Sequence, residues 1–177
     1  MGELTLITGG TRSGKSRWAV RLASEREEPV TFVATLIPGD EAEMRERVKR
    51  HRADRPADWE TVEEGRDLAR VFVEGAIRAG TVVVDCLTLY VSNLLLDGRS
   101  DEEILENVAR ACEQMKRSSA QIIVVTNEVG WGIVPDHAMG RRFRDVAGLV
   151  NQKVAEAADE VYLVSCGIPI RIKPQNK

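Results

Sequence analysis

The stretch Gly9-Gly10-Thr11-Arg12-Ser13-Gly14-Lys15-Ser16 is a complete G-x-x-x-x-G-K-[ST] pattern of a phosphate-binding loop. An apolar run at 4–8 precedes it and residues 17–23 follow with helical spacing, which is the strand–loop–helix context that the pattern requires. Glycines let the backbone N–H groups of such a loop surround a phosphate chain without side-chain clashes. The loop predicts a site for a nucleoside triphosphate, in which Lys15 reaches the β- and γ-phosphates and the Ser16 hydroxyl binds Mg²⁺.

Strand-like runs alternate with helical patterns along the chain, which is typical of a parallel sheet with helices on its faces. Strands are predicted at residues 3–8, 30–35, 81–86, 121–127 and 160–165, with a short last strand near 168–172. Helices are predicted at residues 15–25, 41–52, 66–79, 101–117 and 138–157. We therefore predict an α/β protein: a single P-loop NTPase domain over residues 1–177, RecA-like, with a mostly parallel sheet and helices on both faces.

Two stretches, 36–64 and 126–136, fit this alternation poorly. The first contains a charged helical pattern and ends in a Pro- and Trp-containing segment. The second follows a predicted strand and is rich in glycine and polar residues. Open α/β sheets bind ligands at the carboxyl ends of their strands, so the second stretch is expected beside the phosphate loop.

Composition excludes several classes of protein. The net charge of −3 over 177 residues gives no global indication of binding to nucleic acid or to a membrane surface. The apolar runs have the length of strands and are too short to span a bilayer, and no leader pattern precedes the first strand. Three scattered cysteines, Cys86, Cys112 and Cys166, are interpreted as small buried thiols in a reducing compartment. We expect a cytoplasmic protein.

Asp85 ends the apolar run 81–85, which is the pattern of a carboxylate that helps to hold Mg²⁺ beside a phosphate loop. Apolar strands often end in aspartate, and the alternative is that Asp85 caps a helix or a turn. The phosphate loop favours the metal role, with Ser16 and Asp85 as the two protein groups at the ion.

His51 is one of only two histidines and follows a run of basic residues. It could act as a general base or a nucleophile. It could equally be a packing residue, because Met44, Val48 and His51 share one face of the predicted helix. The residues alone favour the packing role and leave both open.

Other residues also have two interpretations. Trp59 and Trp131 could stack on a planar ligand, or pack in the core, which is favoured for Trp59. The Gly130–Gly132 loop could be a mobile lid or a turn. The arginines at 141, 142 and 144 could bind phosphate or a partner subunit, although a solvated helix face is favoured.

Taken together, these residues resemble the bifunctional adenosylcobinamide kinase / adenosylcobinamide-phosphate guanylyltransferase family of cobalamin biosynthesis. The similarity covers the phosphate loop, a His-x-x-x-Arg-Pro-x-x-Trp segment at 51–59, the strand end at Asp85 and a Tyr-Val-Ser-Asn-Leu segment at 90–94. The most specific part is Thr-Asn-Glu-Val-Gly-Trp-Gly-Ile-Val-Pro at 126–135.

The resemblance implies two activities. A nucleoside triphosphate, GTP or ATP, phosphorylates adenosylcobinamide; GTP then transfers GMP to that phosphate through a guanylyl-histidine at His51, with Lys15 also catalytic. It implies nucleotide contacts from residues 9–16 and from Ala34, Thr35, Leu36, Arg52, Ala53, Asp54, Arg55, Glu63 and Asp85. It also implies a homo-oligomer, for which a trimer is the family-based guess.

Two other functions fit a phosphate loop. The first is a plain kinase of another small metabolite, with phosphate transferred from the γ position, no covalent nucleotide and His51 structural. The second is a regulatory NTPase that switches a protein partner. The Gly130 loop and the basic segment favour substrate and phosphate contacts over such a partner surface.

Overall fold

The structure is a computed structural model that describes residues 2–26, 28–37, 55–73 and 80–174. The predicted helix at 41–52, which includes His51, lies outside the described residues. So do Arg52, Ala53 and Asp54 from the predicted nucleotide contacts. The last part of the predicted helix at 66–79 is also outside this range.

Seven strands form one sheet in the order β3-β2-β4-β5-β1-β6-β7. The strands are β1 (Leu4–Thr8), β2 (Val30–Ala34), β3 (Glu60–Glu63), β4 (Thr81–Asp85), β5 (Gln121–Val125), β6 (Glu160–Ser165) and β7 (Ile168–Lys173). Neighbouring strands are parallel except for the antiparallel pair β6 and β7. The described helices are α1 (Lys15–Ser24), α2 (Leu68–Val71), α3 (Leu87–Leu96), α4 (Asp101–Arg117) and α5 (Ala138–Ala157), with a 3₁₀ turn at Val129–Trp131.

Two apolar cores lie on opposite faces of the sheet, because the side chains of each strand alternate between the faces. Leu4, Leu6 and Val84 belong to the core that α2, α3, α4 and α5 cover. Ile7 and Val83 belong to the other core, against which α1 packs. The mostly parallel sheet with helices on both faces is therefore confirmed. None of the described helices is long and apolar enough to cross a membrane.

Helix α4 shows how local sequence sets an element. Ser100 and Glu103 form a reciprocal capping box at its N-terminus, and the first turn holds three acidic residues. Its buried stripe consists of Ile104, Val108, Ala111, Cys112 and Met115, which recur at three- and four-residue steps. The predicted boundaries of α4 and α5 agree with the structure at both ends.

The structure differs from the predicted elements by more than one residue in four places. Among the described residues of the predicted helix at 66–79, only Leu68–Val71 is helical. Strand β3 falls within the stretch 36–64, for which no strand was predicted. It is an edge strand of only four residues, and its exposed terminal glutamates interrupt the apolar pattern by which a strand is identified. Helix α3 has apolar residues almost all round, so it shows little periodicity. Strand β5 ends at Val125, two residues before its predicted end, because the N–H of Asn127 donates to the side chain of Thr88 and not to a neighbouring strand. The thiol of Cys166 is exposed, whereas Cys86 and Cys112 are buried as predicted.

Candidate nucleotide site

The carboxyl ends of five parallel strands meet at one edge of the sheet. Ala34 at the end of β2 lies opposite Glu63 on one side and Asp85 on the other. Asp85 lies opposite Val125, and Val125 lies opposite Ile7. The chain leaves these strands into the phosphate loop, the Thr35 segment and the segment that begins at residue 126. The pairing of these strands therefore brings most of the described residues of the predicted site to the carboxyl ends of the strands.

The phosphate loop has a backbone that requires glycine at two positions. Gly9 has φ of 150°, and a Cβ there would lie 2.3 Å from the carbonyl oxygen of Val164. Gly14 has φ of 101° and precedes the first turn of α1, where its carbonyl accepts from the N–H of Trp18 at 3.0 Å. Arg12 also has a positive φ of 57°. The loop therefore turns back on itself before the helix begins, as a phosphate cradle requires.

Lys15 is held inside this loop. Only 6% of the residue is exposed, and its Nζ donates to the carbonyl oxygen of Gly10 at 2.6 Å. Burial lowers the pKa of Lys15 from its ordinary value. The groups that oppose this effect are Cys86, Asp85 and Glu128. The ammonium group is therefore held inside the phosphate loop, with two carboxylates nearby.

The Thr35 segment is fixed against the end of β4. Thr35 is fully buried; its Oγ1 donates to the carbonyl oxygen of Cys86 at 2.7 Å and accepts from the Cys86 N–H at 2.8 Å. Asn93 in α3 donates through Nδ2 to the carbonyl oxygens of Thr35 at 2.8 Å and of Gly65 at 3.1 Å. These bonds fix Thr35 at Cys86, and Ala34 lies opposite Asp85 in the sheet.

A network of buried polar side chains fixes the segment after β5. The Oγ1 of Thr126 donates to Asn151 Oδ1 at 2.7 Å and lies 3.2 Å from the Oγ1 of Thr88. The N–H of Asn127 donates to Thr88 Oγ1 at 2.8 Å, and Asn151 Nδ2 donates to the Asn127 carbonyl oxygen at 3.1 Å. Because each partner is satisfied within the network, the segment has a defined position.

Glu128 follows this network and contacts the start of the phosphate loop. Its N–H donates to the carbonyl oxygen of Gly9 at 3.0 Å, and its Oε1 accepts a hydrogen bond from Thr8 Oγ1. The residue is half-buried. Asn93 and Glu128 lie in the segments 90–94 and 126–135 that carry the family resemblance, but no role in the site was predicted for either of them or for Thr8.

The other predicted residues lie in different places. Glu63 is exposed at the end of β3, two strands from Asp85 in the sheet. The guanidinium of Arg55 lies 3.6 Å from the ring centroid of Phe32, on the face that α1 covers. Trp59 is half-buried against the same core, as predicted, whereas 67% of Trp131 is exposed.

The arginines near the start of α5 contact neighbouring protein groups. Arg142 pairs with Asp101 at 2.7 Å and also donates to the carbonyl oxygen of Arg99. Arg141 donates to the carbonyl oxygens of Pro135 and Asp136. His137 caps α5, because its Nδ1 accepts from the Gly140 N–H at 3.0 Å. These contacts give the α5 residues structural roles.

The predicted metal ligands fit the coordination habits of Mg²⁺. Among the described residues, no three His, Cys, Asp or Glu side chains cluster as a protein-only metal site. Nucleotide-bound Mg²⁺ does not need one, since it keeps several waters and takes phosphate oxygens with one or two protein ligands. A hydroxyl at Ser16 in the first turn of α1 and a carboxylate at the end of β4 supply such a set.

The phosphate loop between β1 and α1, with Asp85 on β4 and β5 between β4 and β1, defines the class: a P-loop NTPase domain. Solved structures share this fold. The flagellar accessory protein FlaH from Methanocaldococcus jannaschii aligns with a TM-score of 0.53 at 13% identity, over 92% of this chain and 70% of that chain. A KaiC-like protein from Pyrococcus horikoshii aligns with a TM-score of 0.53 at 18% identity, over the same shares.

Sequence comparison shows the family. A sequence model described as "Cobinamide kinase / cobinamide phosphate guanyltransferase" matches residues 5–172. The bifunctional adenosylcobalamin biosynthesis protein CobU of Salmonella typhimurium is 41% identical over 96% of this chain and 99% of that protein. The corresponding protein CobP of Pseudomonas aeruginosa is 42% identical over 95% and 96%. The chain therefore belongs to the cobinamide kinase / cobinamide phosphate guanyltransferase family, a transferase family of cobalamin biosynthesis.

Proposed function

We propose that this protein phosphorylates adenosylcobinamide with a nucleoside triphosphate and then transfers GMP from GTP to the phosphate formed. The products of the second step are adenosylcobinamide-GDP and pyrophosphate. The observation that carries this proposal is the family match over residues 5–172, combined with a phosphate loop that holds Lys15 in its centre. A plain kinase or a regulatory switch would not account for the match.

One phosphate cradle can serve both reactions. In the kinase step the γ-phosphoryl group is transferred and a nucleoside diphosphate leaves. In the guanylyl step the attack is at the α-phosphorus and pyrophosphate leaves. In both, negative charge develops on phosphate oxygens that Lys15 and the loop N–H groups surround. Mg²⁺ held by Ser16 and Asp85 would supply further neutralisation of that charge.

We propose His51 as the nucleophile of the guanylyl step. A neutral ring nitrogen bonds to the α-phosphorus while the bond from that phosphorus to the bridging oxygen breaks. A phosphate oxygen of the acceptor then bonds to the same phosphorus and the bond to nitrogen breaks. The support for His51 is the family match over residues 5–172, a range that includes it.

The remaining nucleotide contacts extend this proposal. We infer that residues 9–16, the Thr35 segment (34–36), residues 52–55, Glu63 and Asp85 bind GTP. Asp85 supplies a carboxylate at the end of β4. The donor of the kinase step is GTP or ATP.

We also propose that the protein is a cytoplasmic homo-oligomer, with a trimer as the expected size. Supporting this, Ile168, Ile170 and Ile172 are exposed along β7, the strand at one edge of the sheet. Exposed apolar residues on an edge strand are typical of a contact surface. Light scattering on the purified protein measures the mass, and a monomer at micromolar concentration would contradict the proposal.

The decisive experiment is the intact mass of the protein after incubation with GTP and Mg²⁺. We expect the parent to gain one GMP and His51→Ala to gain none. His137→Ala is the matched control, because His137 is the other histidine and caps α5; it should gain GMP like the parent. Tight GTP binding without an adduct in the parent would remove the guanylyl-histidine and leave a P-loop kinase.

A further inference from the structure

The kinase step needs a proton acceptor that the guanylyl step does not. The cobinamide hydroxyl must lose its proton as its oxygen bonds to the γ-phosphorus and the bond from that phosphorus to the bridging oxygen breaks. In the guanylyl step the nucleophiles are a neutral imidazole and a phosphate that is already ionised. Lys15 and Ser16 in the loop serve the phosphates, so the base for the hydroxyl must come from elsewhere.

We propose that Glu128 is this general base: its carboxylate accepts the hydroxyl proton as phosphoryl transfer proceeds. The inference rests on the proposed function and adds a residue to its first step. It assigns Thr8 as the residue that positions the carboxylate. It also predicts that the two activities can be separated by one substitution.

The position of Glu128 carries the assignment. Its backbone N–H is bonded to the carbonyl oxygen of Gly9, the first residue of the phosphate loop. Its Oε1 accepts from Thr8 Oγ1, and its charge acts on Lys15 inside the loop. Within the part of the chain that the structure describes, Oε2 accepts no hydrogen bond. One oxygen is therefore anchored and the other can take a proton.

The carboxylate stands on a rigid support. The network of Thr88, Thr126, Asn127 and Asn151 is buried or half-buried and internally satisfied, and it ends one residue before Glu128. A general base must be held within hydrogen-bond reach of the proton that it takes. A buried network that carries no charge of its own is suited to holding Glu128 in place.

The chain after Glu128 leaves room for a large acceptor. The 3₁₀ turn Val129–Trp131 follows at once, and Trp131 and Ile133 are 67% and 97% exposed. A side chain at Gly130 would meet nothing within 4 Å. A corrinoid has a broad ring with methyl and amide groups at its rim, and it carries its reacting hydroxyl on a side arm. This open apolar surface beside Glu128 suits that shape.

The other carboxylates near the carboxyl ends of these strands have different roles. Asp85 is the proposed partner of Mg²⁺. Glu64 Oε1 accepts the N–H groups of Arg66 and Asp67, which fixes the turn before α2. Glu63 is exposed at the end of β3, on the far side of β4 and β5 from the phosphate loop. Glu128 contacts the loop itself, because its backbone N–H donates to the carbonyl oxygen of Gly9.

The test compares the two steps in Glu128→Gln, which keeps the shape and removes the proton acceptor. We measure phosphorylation of cobinamide with ATP or GTP, the GMP adduct by intact mass, and GMP transfer to supplied cobinamide phosphate. We expect kinase turnover to fall about 10²- to 10⁴-fold, the range for a lost general base. Adduct formation and transfer to supplied cobinamide phosphate should stay at the level of the parent.

Two further variants strengthen the test. Thr8→Val is nearly isosteric and removes only the hydroxyl that positions Glu128, so it should lower kinase turnover by about tenfold and spare the adduct. Glu113→Gln changes an exposed glutamate on α4, away from the strand edge, and should leave both steps unchanged.

Each alternative result overturns the inference. Kinase turnover within about threefold of the parent in Glu128→Gln would show that another group takes the proton. A joint fall of kinase turnover and GMP adduct would show that Glu128 only shapes the loop. If the parent forms the adduct but shows no kinase turnover, the proposed kinase activity itself is wrong, and so is the inference that rests on it.

Discussion

The phosphate loop at 9–16 and the segment at 126–128 follow neighbouring strands at the same edge of the sheet, but they are held in different ways. The phosphate loop is held by its own backbone, with positive φ angles at Gly9, Arg12 and Gly14. The segment at 126–128 is held by side chains from α3 and α5, chiefly Thr88 and Asn151. A loop of the first kind carries a local sequence pattern, whereas a loop of the second kind depends on residues far away in the chain.

The largest effect is expected from adding one methyl group to the phosphate loop. Gly9→Ala would place Cβ 2.3 Å from the carbonyl oxygen of Val164 at a φ of 150°, and neither backbone can move away cheaply. We expect a loss of about 2 to 4 kcal/mol in the free energy of unfolding, from strain and overpacking. Thermal and urea unfolding measure this loss.

Gly10→Ala is the matched control for stability, because a Cβ at Gly10 would meet nothing within 4 Å. Its free energy of unfolding should stay within about 0.5 kcal/mol of the parent. If the two variants are equally stable, the phosphate loop is not held by its backbone in the way described, and the contrast between the two loops disappears.

A smaller effect is expected where the side-chain network is broken. Asn151→Ala would leave Thr126 Oγ1 and the carbonyl oxygen of Asn127 without their partner, which should cost about 1 to 3 kcal/mol in the free energy of unfolding. Because Glu128 follows these residues, kinase turnover should fall more than formation of the GMP adduct. Chemical denaturation and the two activity assays give both quantities.

The exposed neighbour Gln152 supplies the control, since Gln152→Ala should change neither stability nor activity. Equal losses of the two activities in Asn151→Ala would mean that the network supports the whole strand edge. It would then no longer be specific to the segment at 126–128.

The smallest effect concerns two thiols near the phosphate loop. Cys166 is exposed in the turn between β6 and β7, where the N–H of Gly167 donates to the carbonyl oxygen of Ser13 at 2.8 Å. Cys86 is buried at the end of β4, and burial raises its pKa to about 11. Since the thiolate is the reactive form, Cys166 should react with a thiol reagent at pH 8 and Cys86 should not.

Cys166→Ser should therefore remain almost unlabelled at pH 8 and retain its activity. Labelling should increase as the pH rises towards 11, because the raised pKa keeps Cys86 protonated until then. Rapid labelling at Cys86 itself, located by peptide mass in Cys166→Ser at pH 8, would show that the end of β4 opens to solvent and that the Thr35–Cys86 hydrogen bonds do not keep it closed.

Local sequence predicted those parts of the fold that short-range physics controls. The phosphate loop follows from glycine geometry, and α4 follows from its capping box and its apolar stripe. Strand β3 was not predicted, because it has only four residues and both ends are exposed, and α3 lacks the polar face by which an amphipathic helix is identified. Both acquire their structure from the sheet and the core against which they lie.

The sequence by itself determined the class of the domain, the phosphate loop with Lys15, the carboxylate at Asp85 and, through nearly end-to-end similarity, the family. Only the tertiary structure decided that Thr8 and Glu128, 120 positions apart, meet at the mouth of that loop. It also decided that Asn93 and Asn151 hold the neighbouring segments in place. The physical reason is that parallel strands bring their carboxyl ends together whatever their separation in the chain. Contacts between these ends therefore depend on the order of the strands in the sheet, and no local sequence pattern encodes that order.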